Sequence, residues 1–146
     1  TAKSLFEQVG SKAAGVLLSF TAAQYLAFLY AVEGKKELAY ELLLPIKEHL
    51  AEETRPLLHQ LAAEHKNYPV VAELSAECYQ MSPTQEVALR NARAFAYLKE
   101  AKSAGGWLQT AWQHGGIDLK TLLSEEEFLA LKDDPEFQHF ITPLQP

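Results

Sequence analysis

Five histidines, at positions 49, 59, 65, 114 and 139, and one cysteine, Cys78, are the residues from which a metal site or a nucleophilic centre could be built. A helical zinc site needs two histidines on one face, as in a His-Glu-x-x-His run. His59 and His65 stand six apart, which does not place them on one face, and no such run occurs. The histidines therefore read as solvated or helix-terminal. His65 and His114 fall near expected helix C-termini, where the helix dipole favours a cation. One cysteine excludes an internal disulfide and a cysteine-rich zinc site. Cys78 lies on an apolar stripe with no evident base, so it reads as a buried thiol. Glu125, Glu126 and Glu127 with Asp133, Asp134 and Glu136 form an acidic cluster, but the calcium-loop pattern is absent. Helix capping and solvation explain those carboxylates. Trp107 and Trp112, five apart, read as core residues rather than a ligand box, with Trp107 the firmer of the two. The expectation is no catalytic residue, no metal and no cofactor.

Composition narrows the classes further. The 146 residues make about one domain, with 48% hydrophobic residues and charges of both signs throughout. Thirteen Lys and Arg against nineteen Asp and Glu leave a net charge of −6. Phosphate neutralisation needs clustered cations, so nucleic acid is disfavoured as a partner. No apolar run reaches the roughly 20 residues of a membrane-spanning helix, so no direct membrane insertion is expected. A cytoplasmic location fits the single cysteine. A chain beginning at Thr1 without methionine or a signal-like segment is expected to be processed or, preferably, a piece of something longer.

The elements that would position these residues are helices. Phe20–Leu50 reads as two amphipathic helices meeting at Gly34. Thr21 is the expected cap, Gln24 its capping-box partner, and Phe20 with Tyr25 a hydrophobic staple. Tyr25, Leu26, Leu29 and Tyr30 mark one apolar face; Leu38, Ala39, Leu42, Leu43 and Ile46 mark the return. Ser4-Leu5-Phe6-Glu7 is a capping box for a first helix over residues 1–19. Pro45 should kink the second helix of the hairpin. A polar break over 51–55 precedes a helix ending around Asn67, and Pro69 opens another through Cys78. Ser82-Pro83 with Gln85 signals a further start, and Ser124 to Glu127 a capping box in the tail. Asp134-Pro135 opens the last helix. No strand signal occurs.

Comparing hairpins shows a period: Ala39, Val71 and Ala104 lie 32 and 33 residues apart, as do Ile46, Cys78 and Ala111. Periods of this size indicate helical solenoids. The first hairpin resembles a tetratricopeptide repeat through Ala23, Leu26, Ala27, Tyr30, Ala39 and Leu43. The second matches at Leu58, Val71 and Pro83, with His59 in place of a small residue. The third matches at Ala92, Phe95, Ala104, Leu108 and Ala111, with Asn91 where leucine is expected and Lys99 where a turn glycine is common. From Trp107 the tail resembles the closing segment of bacterial arrays of this family, most specifically in Leu131-Lys132-Asp133-Asp134-Pro135-Glu136-Phe137. The resemblance implies an all-α fold, an α-α superhelix of about three degenerate hairpins in one domain. Residues 1–19 would be an N-terminal helix, 20–116 the repeats, and 117–146 a short helical cap. Phe128, Leu131, Phe137 and Phe140 would cover the last hairpin.

The resemblance also implies a noncatalytic module that binds a peptide or protein segment on its concave face, within a larger bacterial protein. Carried over position by position, the inner wall is Thr21, Gln24, Phe28, Val32, Gln60, Glu64, Arg93 and Tyr97. Phe28, Arg93 and Tyr97 would frame a groove with Gln60 and Glu64 as floor. The Lys and Asn constellation with which some members clamp a terminal carboxylate is missing. The alternatives are a structural or regulatory C-terminal domain of a membrane-associated protease or other enzyme, or a helical enzyme with a site between helices.

Overall fold

The computed structural model describes residues 16–145, with side chains over 19–145. Every regular element among them is helical. The helix expected from Ser4 lies largely outside the described residues. The chain divides into two compact units, Thr1–Glu64 and His65–Pro146, so the helices of the second expected hairpin fall in different units.

In the first unit, α1 (Val16–Val32) packs against α2 (Lys36–Leu43), and α2 against α3 (Arg55–Glu64). Thr21 is not a cap: α1 runs straight through it. Apolar, helix-compatible residues continue on both sides of Thr21, so nothing stops the helix there, and the expected boundary between 19 and 20 is absent. Gly34 does end α1. At φ 81° it donates to Ala31 O, while Lys35 donates to Tyr30 O, which together form a Schellman motif. Pro45 also acts as expected. Helix α2 stops at Leu43 and the chain tightens into a 3-10 turn, Leu44–His49, in which Ile46 leaves helical geometry. The kinked segment is tied back onto α1. His49 stacks on Phe20 at 4.3 Å, and Gln24 donates to Phe20 O while accepting from Ala51 N at 2.9 Å.

The second unit holds α4 (Tyr68–Met81), α5 (Gln85–Tyr97), α6 (Ala101–Gln113), α7 (Leu119–Leu123) and α8 (Pro135–Ile141), with 3-10 turns at Glu126–Leu131 and Thr142–Leu144. Helix α5 begins two residues later than Ser82-Pro83 suggests. Ser82 closes α4 instead, and the Thr84 hydroxyl accepts from Val87 N as the cap. The tail lies on the α5–α6 hairpin. Phe128, Leu131, Phe137, Ile141 and Leu144 share one apolar cluster with Ala92, Ala96, Ala104 and Leu108. Asp134 aims α8 by accepting from Glu136 N and Phe137 N.

The period is written in the backbone as well as in the side chains. Gly34, Lys66 and Lys99, 32 and 33 residues apart, are all left-handed, at φ 81°, 56° and 63°. The residue after each, Lys35, Asn67 and Glu100, has φ between −88° and −97° and precedes the next helix. At Lys99 the Gly34 bonding pattern recurs, Lys99 N to Ala96 O and Glu100 N to Phe95 O. Ala39, Val71 and Ala104 are completely buried, as are Ala27, His59 and Ala92. The third repeat's Asn91, at a leucine position, is satisfied: its amide donates to Ser75 O at 3.0 Å. Ser75 itself occupies the position of Leu43 and Leu108, so two polar departures from the pattern meet.

A lysine in the left-handed region carries roughly 1–2 kcal/mol of strain. That exceeds the extra unfolded-state entropy of glycine, roughly 0.4–1 kcal/mol. Lys99→Gly is therefore expected to gain about 0.5–1 kcal/mol. The matched exposed substitution Lys102→Gly, inside α6, should lose stability. Urea unfolding midpoints of the two variants check this pair.

Candidate functional site

The residues that could do chemistry are placed apart. Among the described residues no group of His, Cys, Asp and Glu converges as a metal ion would require. His59 corrects the expectation of solvated or helix-terminal histidines: it is completely buried within α3. It stands 32 residues after Ala27 and 33 before Ala92, which are also completely buried. His114 sits at the α6 C-terminus, where its backbone amide donates to Ala111 O, and its ring meets the Tyr79 hydroxyl at 2.7 Å. Gln85 reaches the same helix end, donating to Ala111 O and Gly115 O. Tyr79 also packs edge-on against Trp107, which is half-buried. This cluster closes a helix end. Cys78 is buried, as its stripe suggests.

Six of the eight expected wall residues belong to the first unit: Thr21, Gln24, Phe28, Val32, Gln60 and Glu64. Thr21, Phe28 and Val32 are exposed along α1, and Tyr25 joins them at 59% exposure instead of lying on the buried face. Tyr25, Phe28 and Val32 are spaced i, i+3, i+7, so they share one stripe. The opposite face is closed by Ala22, Leu26 and Ala27. Thr21, Tyr25 and Phe28 also line a shallow cleft of about 340 Å³ whose other wall includes Ala51 and Glu53. Gln24 is a correction to the wall: its side chain is buried, with both ends of its amide spent on Phe20 and Ala51. Gln60 is exposed, and Glu64 is ion-paired with Lys36 at 3.1 Å.

Arg93 and Tyr97 belong to the second unit, where its own tail meets Arg93 while Tyr97 stays 51% exposed. The Arg93 guanidinium grips both oxygens of Glu125, at 2.7 and 3.3 Å, a bidentate pair. Tyr97 packs on Tyr68 at 4.8 Å. The Tyr68 hydroxyl donates to Glu127 at 2.8 Å, and Lys66 lies 3.8 Å from Glu126. Burial, then the hydrogen bond to the Glu127 carboxylate, pushes the Tyr68 phenol well above its ordinary value, so it remains a neutral donor. Glu127 thus serves Tyr68, and the expected Ser124 capping box does not form. The Ser124 hydroxyl donates to Thr121 O, and Glu125 takes the cap position without a side-chain bond. Glu125, Glu126 and Glu127, read from sequence as capping or solvated, hold the tail to Arg93, Lys66 and Tyr68, while Asp134 caps α8 as that reading has it.

A feature that the sequence reading missed lies in the tail itself. A cleft of about 740 Å³ is walled by Leu119, Leu123 and Leu129 over the completely buried Phe128 and Phe137, with Lys120, Lys132 and Asp133 also lining it. Its one sequence signal is an excess of leucines. Leu129 falls off the face that the cap buries and is 57% exposed, while Leu123 is half-buried against the edge of the cluster. Compared with known proteins, the chain matches no family model, no curated protein and no solved structure.

Proposed function

We propose that this chain is a noncatalytic protein-interaction module of the tetratricopeptide-repeat kind, and that it takes a peptide or protein segment against the exposed face of α1. One observation carries the reading. Helix α1 carries apolar residues on every side instead of the single stripe expected of an amphipathic helix, interrupted by Ser19, Thr21 and Gln24, and such a helix is ordinarily covered on most of its surface. Yet Phe28 is 39% and Val32 86% exposed. Exposed aromatic and aliphatic side chains in a line are what a partner helix or strand covers, and such anchors dominate interface energetics. The recurrence of one left-handed turn at positions 34, 66 and 99 supports the repeat architecture. The wall is centred on Thr21, Tyr25, Phe28 and Val32. Gln60 and Glu64 stay in it as exposed polar positions, Gln24 and Arg93 are held by the protein's own contacts, and Tyr97, 51% exposed, packs on Tyr68 in the second unit.

The test is comparative capture from extracts of the source organism. A partner recovered by the native chain should fall at least about tenfold with Phe28→Ala or Val32→Asp, the scale of an interface hot spot. It should persist with Arg93→Ala and Tyr97→Ala. Loss only with the Arg93 and Tyr97 variants would move the binding surface to the second unit. Equal recovery by all the proteins would remove the α1 face from consideration.

A further inference from the structure

We infer that the segment taken by α1 carries an arginine, whose side chain enters the cleft that Tyr25 and Phe28 share with Glu53. The inference rests on α1 as the binding face and names the chemistry that this face selects.

The cleft, about 340 Å³, offers both of the groups that hold a cation. Tyr25 and Phe28 are exposed, so their rings present surface to an incoming side chain. A cation within about 6 Å of a ring centroid is attracted by the negative face of the ring. Glu53 supplies the carboxylate. It is exposed, and among the described residues it has neither an ion pair nor a hydrogen bond. No lysine or arginine lines the cleft, and its other four lining residues, Thr21, Gln24, Ala51 and Thr54, are uncharged. Arg55, although close in sequence, lies outside the lining and is engaged by a contact of its own. The negative charge of the cleft is therefore uncompensated, on a chain whose net charge is −6.

The other end of α1 shows the same arrangement completed from within. The Lys35 ammonium lies over the Tyr30 ring, 5.9 Å from its centroid, and pairs with Glu33 at 3.4 Å. Ring, carboxylate and cation there all belong to the chain. In the cleft the rings and the carboxylate are present, and the cation comes from the partner. Arginine suits the place better than lysine, because a planar guanidinium stacks on an aromatic face while its N–H fork meets a carboxylate.

The test is NMR titration of the full chain, at low salt, with three blocked hexapeptides of alanine and leucine. They differ at one central residue, which is arginine, its uncharged isostere citrulline, or glutamate. The arginine peptide should bind about tenfold more tightly than the citrulline peptide, the combined effect of one exposed ion pair and a cation–π contact. The glutamate peptide should bind more weakly than either. Shifts caused by the arginine peptide should centre on Tyr25, Phe28 and Glu53. Glu53→Gln should weaken the arginine peptide about threefold and leave the citrulline peptide as it was. Equal affinity of the arginine and citrulline peptides, with shifts on α1, would overturn the inference and leave α1 in place as the binding face. So would an unaltered preference in Glu53→Gln. Shifts away from α1 with every peptide would overturn both readings. Absence of binding by all three peptides would overturn the inference alone, since the α1 face is judged separately by capture with Val32→Asp.

Discussion

Phe137→Ala should lower stability by about 3–5 kcal/mol, the range for truncating a fully buried aromatic ring. Phe137 is completely buried and lies in one cluster with Phe128, Leu131, Ile141 and the small residues Ala92, Ala96 and Ala104 of the α5–α6 hairpin. Those alanines have little volume with which to collapse into the space that the ring would leave, so the cavity persists and its full penalty applies. The loss should appear in chemical unfolding, and amide exchange should rise in α5 and α6 as well as in α8. A near-neutral midpoint would mean that the tail does not close the hairpin.

The second large effect is a reversal of sign between adjacent glycines. In α6, glycine is disfavoured relative to alanine by roughly 1 kcal/mol, so a glycine-to-alanine change should stabilise wherever there is room. Gly106 has room: a Cβ there meets nothing within 4 Å. Gly106→Ala should gain up to about 1 kcal/mol. At Gly105 the same atom would clash with Phe140 Cβ and lie only 2.6 Å from its Cγ. The clash involves the root of the Phe140 side chain, which cannot swing aside without moving α8. Gly105→Ala should therefore lose about 1–3 kcal/mol, as overpacked cores do. Parallel thermal unfolding of the two variants reads the difference, and a gain at both positions would show that Phe140 does not seat on α6.

What could be read from sequence is what is decided locally. Gly34, Pro45 and Asp134-Pro135 each fix their own neighbourhood, so the Schellman turn, the kink and the start of α8 follow from the residues themselves. The repeat period was legible because buried small residues recur at 39, 71 and 104. The left-handed backbone at Lys66 and Lys99 was not, since lysine gives no sign of positive φ. At Lys99 the turn between the packed helices α5 and α6 imposes a conformation that the residue alone disfavours. Thr21 failed as a cap because a capping residue ends a helix only where the preceding residues cannot extend it. His59 was misplaced because an isolated polar side chain is ordinarily solvated; here it is completely buried within α3.

For the residues of the expected wall, the sequence carries less of this local information. Phe28 and Val32 enter that wall through the family resemblance, and both are exposed along α1. The fates of Gln24 and Arg93 are decided by Ala51 and Glu125, 27 and 32 residues away, and no local pattern announces such partners. The tail cleft is harder still. Its walls come from α7, the 3-10 turn after it and α8, and none of these short elements carries a recognisable motif.

Contact between α1 and another protein is tested most directly by placing a benzophenone photocrosslinker at position 28 and, in a second protein, at position 112. Phe28 and Trp112 are matched in accessibility, at 39% and 38% exposure. On irradiation in extract of the source organism, the protein labelled at 28 should give a discrete adduct that Val32→Asp abolishes, and the protein labelled at 112 should give none. A discrete adduct at 112 alone, or adducts at both positions that are indifferent to Val32→Asp, would contradict α1 as the binding face.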